Sequence, residues 1–283
     1  MSAFARTVAA APAPSRIAAL AHDALMLELL TAPKPGLVSQ FDRGSHDDMT
    51  QETFRTSAGA IRSCWQALAE AGAAGASMAE LRRIGLRAEA AMMAATQGVN
   101  THRGTIFGLG LLCAAAGMRH ACPADGTSLG GIVVREWGVA IAGGPAPPHS
   151  HGTEAMRRHG AGGARLEAAS GFPSLYRIGL PALRAARRLP GGDEAARVHC
   201  LFALIAEVRD TNLLHRGGAD GAAFAAAAAR AFMAAGGVGR PGWRRDAEAL
   251  HRRFVARRLS PGGCADLLAM TLFVDAVERG PAG

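Results

Sequence analysis

A chain of 283 residues can bury a substantial core, as one large domain or two small ones. Apolar residues make up 49% of it and aromatics only 5%, a small-residue profile that favours helices over strands. Its 31 basic and 23 acidic residues give +8, which suits an anionic partner; nucleic acid is one possibility, but the arginines are scattered and no basic run is interleaved with aromatics, and phosphate-bearing small molecules fit as well. Residues 15–30 open the chain's order, with Ile17, Leu20, Ala24, Leu25 and Met26 in helical rhythm, Ser15 as the cap, and Pro33 and Pro35 as the stop. Residues 1–14 read as a flexible tail. Loop 34–48 is too rich in His, Asp and Arg for a linker, and it holds the chain's one lysine, Lys34. Helices are predicted over 50–70, 78–95, 106–117 and 129–142; Ile132, Val133 and Val134 in the last would also suit a strand. His149 and His151, in the Pro/Gly loop 143–152, read as a solvated turn rather than a metal site. Dense glycines over 159–173 predict a backbone bent closely around something. Further helices are predicted over 193–208, 219–235, 243–259 and 264–277.

Cys64, Cys113, Cys122, Cys200 and Cys264 are dispersed and form no Cys-x-x-Cys, which argues against a disulfide framework and a zinc site. Pro12 and Pro14 break the N-terminal alanines, and Arg230 interrupts the run at 222–235, so neither a signal peptide nor a membrane span is expected. The expectation is a cytoplasmic protein. No repeat or linker divides it, so the fold class reads as all-α: a single multi-helix bundle over 15–283 with its site at loops and helix ends.

Polar clusters interrupt the apolar helices at 34–48, 100–103, 165–167 and 209–216, with a weaker one at 260–266. The sharpest runs from Gly98 to Leu112, where Asn100, Thr101, His102 and Arg103 sit between glycines and open an apolar helix. Helix N-termini attract anions through unpaired N–H groups and the helix dipole. A plain cap by Asn100 or Thr101 explains part of the cluster; His102 and Arg103 favour a phosphate or carboxylate ligand. Together the clusters offer carboxylates (Asp42, Asp47, Asp48, Glu167, Asp210, Asp266), cations (Lys34, Arg103, Arg165, Arg216), His46, His102 and His215, and the amides Asn100 and Asn212. That inventory suits Mg²⁺ with a polyphosphate. Phosphate-loop, dinucleotide, nucleophile-elbow and zincin motifs are all missing.

Pro33-Lys-Pro-Gly-Leu-Val38 with Gly44-Ser-His-Asp-Asp-Met49, then Gly98-Val-Asn-Thr-His-Arg-Gly-Thr-Ile-Phe107, resemble the triphosphoribosyl-dephospho-CoA synthase family. Gly163-Ala-Arg-Leu-Glu-Ala-Ala-Ser-Gly-Phe-Pro173, Asp210-Thr-Asn-Leu-Leu-His-Arg-Gly-Gly218 and Ser260-Pro-Gly-Gly-Cys-Ala-Asp-Leu-Leu-Ala269 match it in the same order. The resemblance implies an all-helical transferase that moves the triphosphoribosyl group of ATP onto the ribose 2′-OH of 3′-dephospho-CoA and releases adenine. Its product would be the prosthetic-group precursor for the acyl carrier of malonate decarboxylase, the branch this wording favours, or of citrate lyase.

The partners so implied are small-molecule nucleotides and a downstream acyl-carrier phosphoribosyl-dephospho-CoA transferase, with no nucleic acid and no membrane; a homodimer is compatible with this. Breaking a ribose C–N bond builds positive charge on the ring and needs a base for the incoming hydroxyl. Glu167 and Asp210 are expected in those two roles, in an order left open. Lys34, His102, Arg103, Arg165 and Arg216 are expected to hold the triphosphate, with His46, Asn100, Thr101, Asn212 and His215 also binding substrate. Asp48 with Asp42 or Asp266 is expected to hold Mg²⁺. The family pattern usually reads Asp where Ser39 stands, so Asp42 is the expected substitute; His159 and Leu166 depart from it too. A Mg²⁺-dependent nucleotide hydrolase and a non-catalytic partner of the acyl carrier are the competing readings.

Overall fold

A computed structural model of the chain describes residues 12–123, 126–144 and 162–279, and these hold helices and no strand. Helix α1 (Pro14–Leu29) starts one residue before the expected cap. Ala13 occupies the N-cap without a side-chain bond, and Pro14, preset for helical φ, opens the first turn in place of a Ser15 cap. The predicted helix over 50–70 is two helices, α2 (Gln51–Ala60) and α3 (Arg62–Ala73), broken at Ile61, whose ψ of 1° leaves the helical region. Thr50 and Thr53 cap α2 reciprocally. Helix α4 (Met78–Ala95) follows with Ser77 accepting from Glu80 N, and then α5 (Arg103–Ala121).

Helix α6 (Leu129–Gly143) settles the ambiguity of Ile132 to Val134 as helix, with Ser128 at its cap. The glycines over 159–173 do not prevent a helix: α7 (Gly163–Ala169) packs on α5 and α6, and a turn at Gly171 and Phe172, both at positive φ, ends it. A π-helical turn (Leu175–Gly179) leads into α8 (Leu180–Ala186), followed by α9 (Gly192–Glu207), α10 (Thr211–Ala234), α11 (Trp243–Ala256) and α12 (Gly262–Glu278). Helix α10 takes in most of the polar cluster expected at the boundary between two helices; at Gly218 (φ 62°, ψ −162°) its backbone departs from helical geometry. By length and composition Thr211–Gly239 would pass as a membrane span, a longer stretch than the sequence reading weighed, and 28% of its most apolar window is buried. His149, His151 and His159 lie outside the described residues.

One continuous apolar core runs from Ile17 to Val277. Helices α5 and α12 are apolar on nearly every face and sit inside it, as all-round apolar helices must. Helix α3 crosses α5 almost backbone to backbone: a Cβ at Gly72 would overlap the Ala114 carbonyl oxygen, and one at Gly117 would overlap that of Ala69. Close packing leaves no slack for an added methyl. Gly117→Ala is therefore expected to cost about 1–3 kcal/mol, measured as a fall in the urea midpoint with unchanged slope. Full stability in that variant would contradict the close crossing.

Candidate active site

The polar clusters meet at a cavity of about 1690 Å³. Its wall takes the N-terminal ends of α5, α10 and α12, the end of loop 34–50, and parts of α4, α6 and α7. Helix N-termini present N–H groups and the positive ends of their dipoles, which favour an anion; at α10 and α12 the carboxylate of Asp210 already takes part of that role.

Helix α5 begins at Arg103, three residues earlier than the apolar run suggested, so the polar residues form its cap and first turn. His102 is the N-cap by position, while Asn100 Oδ1 accepts from Arg103 N at 3.2 Å, the capping role open to it from the sequence. His102 is buried, and its Nδ1 bonds Ser57 Oγ (2.7 Å) and Thr101 Oγ1 (3.1 Å). Burial, with Lys34 close by, pushes its pKa down to about 3, so at neutral pH it is an uncharged imidazole and adds no positive charge for phosphate. Arg103 spends Nε on Glu89 (3.1 Å), and the rest of its guanidinium has no bonded partner among the described residues.

Asp210 caps α10 and ties it to α12. Its Oδ1 accepts from Asn212 N (2.7 Å) and Leu213 N (3.0 Å), and its Oδ2 from Cys264 N (2.8 Å). Burial still raises its pKa, against those three donors. Glu167 on α7 is engaged in the same way: Oε1 accepts from Ser174 N (2.7 Å) and Oε2 from Ser174 Oγ (3.0 Å), while burial raises its pKa. Asp266, in the first turns of α12, is bonded among the described residues only through Oδ1, to Thr105 Oγ1. Its Oδ2 lies against the Gly104 Cα, where a Cβ would overlap it. Burial, with Glu28 and Asp210 nearby, pushes its pKa up to about 7.

The cavity wall thus brings together His46, Asp48, Asn100, Thr101, His102, Arg103, Arg165, Glu167, Asp210, Asn212, His215, Arg216 and Asp266. Lys34 and Asp42 are not on it. Lys34 is buried beneath, its Nζ 2.6 Å from Glu28 Oε1 and 2.8 Å from the Glu28 carbonyl oxygen, so its charge serves an ion pair and not an open anion site. Asp42 Oδ2 pairs with His251 of α11 at 3.1 Å, and Ser39 Oγ is spent on Phe41 N (3.2 Å). The expected metal set of Asp42, Asp48 and Asp266 is therefore not assembled, and no group of three His, Cys, Asp or Glu among the described residues is arranged to hold a metal ion.

Two of the expected phosphate cations are occupied by backbone. Arg165 donates to the carbonyls of Ile141 (2.6 Å), Ala142 (2.9 Å) and Gly144, closing the C-terminal end of α6, where a cation is favoured. Arg216 donates to the carbonyls of Arg258 (2.9 Å) and Ser45. His46 lies between Ser260 Oγ (2.8 Å) and Asp48 (3.7 Å), and burial and Arg216 hold it below the usual histidine pKa.

Glu28 and Arg258, outside every polar cluster, also line the cavity, as do Thr105, Arg209 and Ser260, which the sequence placed in the clusters without a role. Glu28 left a signal: it falls on the buried face of α1 with Ile17, Ala21, Ala24 and Leu25, where a carboxylate is costly unless paired.

Comparison with known proteins adds a name to this geometry. The family model for CitG, ATP:dephospho-CoA triphosphoribosyl transferase, matches residues 14–282. A protein of Stutzerimonas stutzeri is 41% identical over 271 residues, covering 93% of this chain and 92% of its own. One from Pseudomonas aeruginosa (strain UCBPP-PA14) is 42% identical over 277 residues (94% and 93%), and one from Azotobacter vinelandii is 39% identical over 288 residues (98% and 97%). Each is named "Probable 2-(5''-triphosphoribosyl)-3'-dephosphocoenzyme-A synthase". No solved structure matches the chain. By the match of the family model along nearly its whole length and by these relatives, the chain belongs to the ATP:dephospho-CoA triphosphoribosyl transferase family.

Proposed function

We propose that this chain transfers the triphosphoribosyl group of ATP to the ribose 2′-OH of 3′-dephospho-CoA. The C1–N bond to adenine breaks, adenine leaves with the bonding pair and takes up a proton, and the acceptor oxygen forms the new C1–O bond as its own proton departs. The observation that carries this reading is the joining of three helix N-termini, cavity-facing arginines and buried carboxylates around one space. Arg103, Arg209 and the N-terminus of α5 receive the triphosphate, with Asn212, His215 and His46 as further donors. Glu167 supplies negative charge against the developing ribosyl cation.

Asp266 has an oxygen without a partner among the described residues, and it takes the acceptor proton. Asp210, with both oxygens bonded to backbone N–H, positions the ends of α10 and α12 and does not itself react. Mg²⁺ needs few protein ligands when phosphates supply the rest; Asp48 on the wall is the carboxylate suited to it, and the ion would neutralise phosphate charge. We place the reaction in the cytoplasm, with its product passed to an acyl-carrier transferase serving malonate decarboxylase or citrate lyase.

Adenine release from ATP, followed by chromatography with and without 3′-dephospho-CoA and Mg²⁺, tests the reading. Release that needs dephospho-CoA and yields a nucleotide of the summed mass is expected. Release without acceptor would make the chain a hydrolase, and no release at all would favour a binding protein. Glu167→Gln is expected to lower kcat on the order of 10²-fold, as for other removed electrostatic stabilisers. Full activity in Glu167→Gln would remove this carboxylate from the reaction.

A further inference from the structure

The cavity is larger than one substrate requires, and it changes character along its length. Single-ligand pockets span roughly 300–1,000 Å³, against about 1690 Å³ here. Helices α4 and α5 run antiparallel along it: His102 meets Met92, Arg103 meets Glu89, and Ile106 lies nearest Gly85. Arg103, Phe107 and Leu111 share one stripe of α5, spaced by four residues, and all three line the cavity. Over those two turns, ~12 Å at the helical rise, the wall passes from charged to apolar. The facing stripe of α4 does the same, from Glu89 to Leu86 and Leu81. Ile141 of α6 and Leu166 of α7 complete this arm, with Arg82 on the same wall.

Two of these side chains are conspicuous on solubility grounds. Leu86 is 52% exposed and Leu166 58%, and both face the cavity. Exposed apolar side chains on the wall of a cavity that also carries a polar site mark a ligand with an apolar part.

We propose that this apolar arm, between α4, α5, α6 and α7, holds the pantetheine portion of the acceptor, and that Leu86 and Leu166 select dephospho-CoA over shorter nucleotides. The inference rests on the function proposed above. Of the two substrates, ATP is charged or polar along its length. Only the acceptor carries a flexible chain of methylene and gem-dimethyl groups beyond its phosphates. Seating that chain in the apolar arm leaves the polar end, at Arg103 and Asp266, for the acceptor ribose and the triphosphate.

The test uses the full chain, with adenine release as readout and 4′-phosphopantetheine as a probe that lacks the nucleotide. In the natural enzyme phosphopantetheine is expected to compete with dephospho-CoA and not with ATP. Burial of a leucine side chain contributes enough that Leu86→Asp and Leu166→Asp should each raise the KM for dephospho-CoA and the Ki of phosphopantetheine about tenfold or more. The KM for ATP should stay within about twofold, since uniform binding of the other substrate is untouched. Both positions are exposed, so the substitutions leave the core intact. Unchanged KM for dephospho-CoA in both variants, an equal rise for ATP, or a failure of phosphopantetheine to compete would overturn the assignment in an enzyme that still needs dephospho-CoA. Adenine release that never needs the acceptor overturns the function reading instead, and this inference with it.

Discussion

Lys34→Met is expected to destabilise the protein by about 3–5 kcal/mol, the usual cost of removing one partner from a buried ion pair. Lys34 is 2% exposed and Glu28 7%, and their 2.6 Å contact is the main compensation either charge has. Burial pushes the Lys34 pKa below its ordinary value while Glu28 pulls it back, so the charge depends on that one partner. With Lys34 gone, Glu28 is left in an apolar face of α1 beside Asp266, without a counter-charge. The double variant Lys34→Met with Glu28→Met is expected to regain most of the loss, because well-packed apolar pairs replace buried ion pairs at little cost. Thermal unfolding at pH 7 reads both. A single variant as stable as the natural chain, or a double variant no better than the single, would show that the pair does not hold this region. A stable Lys34→Met chain with a raised KM for ATP would return Lys34 to the phosphate role that its place in the sequence suggested.

That lysine shows where sequence reading succeeds and where it stops. Its position inside a Pro-rich stretch of an Arg-rich chain marked it as unusual, but the partner lies six residues earlier on a helix face that reads as apolar. The helices were legible because apolar spacing at 3.6 residues is a local property. The cavity was legible as a set of clusters because polar groups at helix starts are costly unless they cap or bind. What periodicity does not carry is the direction of each side chain. Arg165 and Arg216 bond to carbonyl oxygens supplied by distant segments, at Ile141 and Arg258, and those partners exist only after folding. Asp42 meets His251 across 209 positions in the chain (251 less 42), which separates it from the other carboxylates expected at a metal. The α7 helix fits within the glycine-dense segment because only Gly163, at its first position and at positive φ, falls inside it, so its interior carries no glycine cost.

Asp266→Asn is expected to lower kcat/KM by about 10²–10⁴-fold, the contribution of a positioned general base, and at the same time to make the substrate-free protein more stable at pH 8. Both effects come from one ionisation. An aspartate in the unfolded chain titrates near ~3.9, whereas burial, Glu28 and Asp210 lift Asp266 in the fold to about 7. Between those values the folded state holds a proton that the unfolded state has released, so this group's contribution to stability falls as pH rises through the window. Activity runs the other way, because a base must be ionised: kcat/KM of the natural enzyme should rise tenfold per unit up to about pH 7 and then level. The amide introduced by Asp266→Asn keeps the shape and still accepts from Thr105, but it never becomes charged. That variant should therefore melt roughly 2–4 °C higher than the natural chain at pH 8 and at nearly the same temperature at pH 4. Gly104→Ala reaches the same carboxylate from the other side, since its methyl would overlap Oδ2, and should reduce kcat while leaving the acid limb of any residual activity displaced. An Asp266→Asn enzyme with full activity, or one that melts below the natural chain at pH 8, would mean that the carboxylate is held for stability and that the proton goes elsewhere.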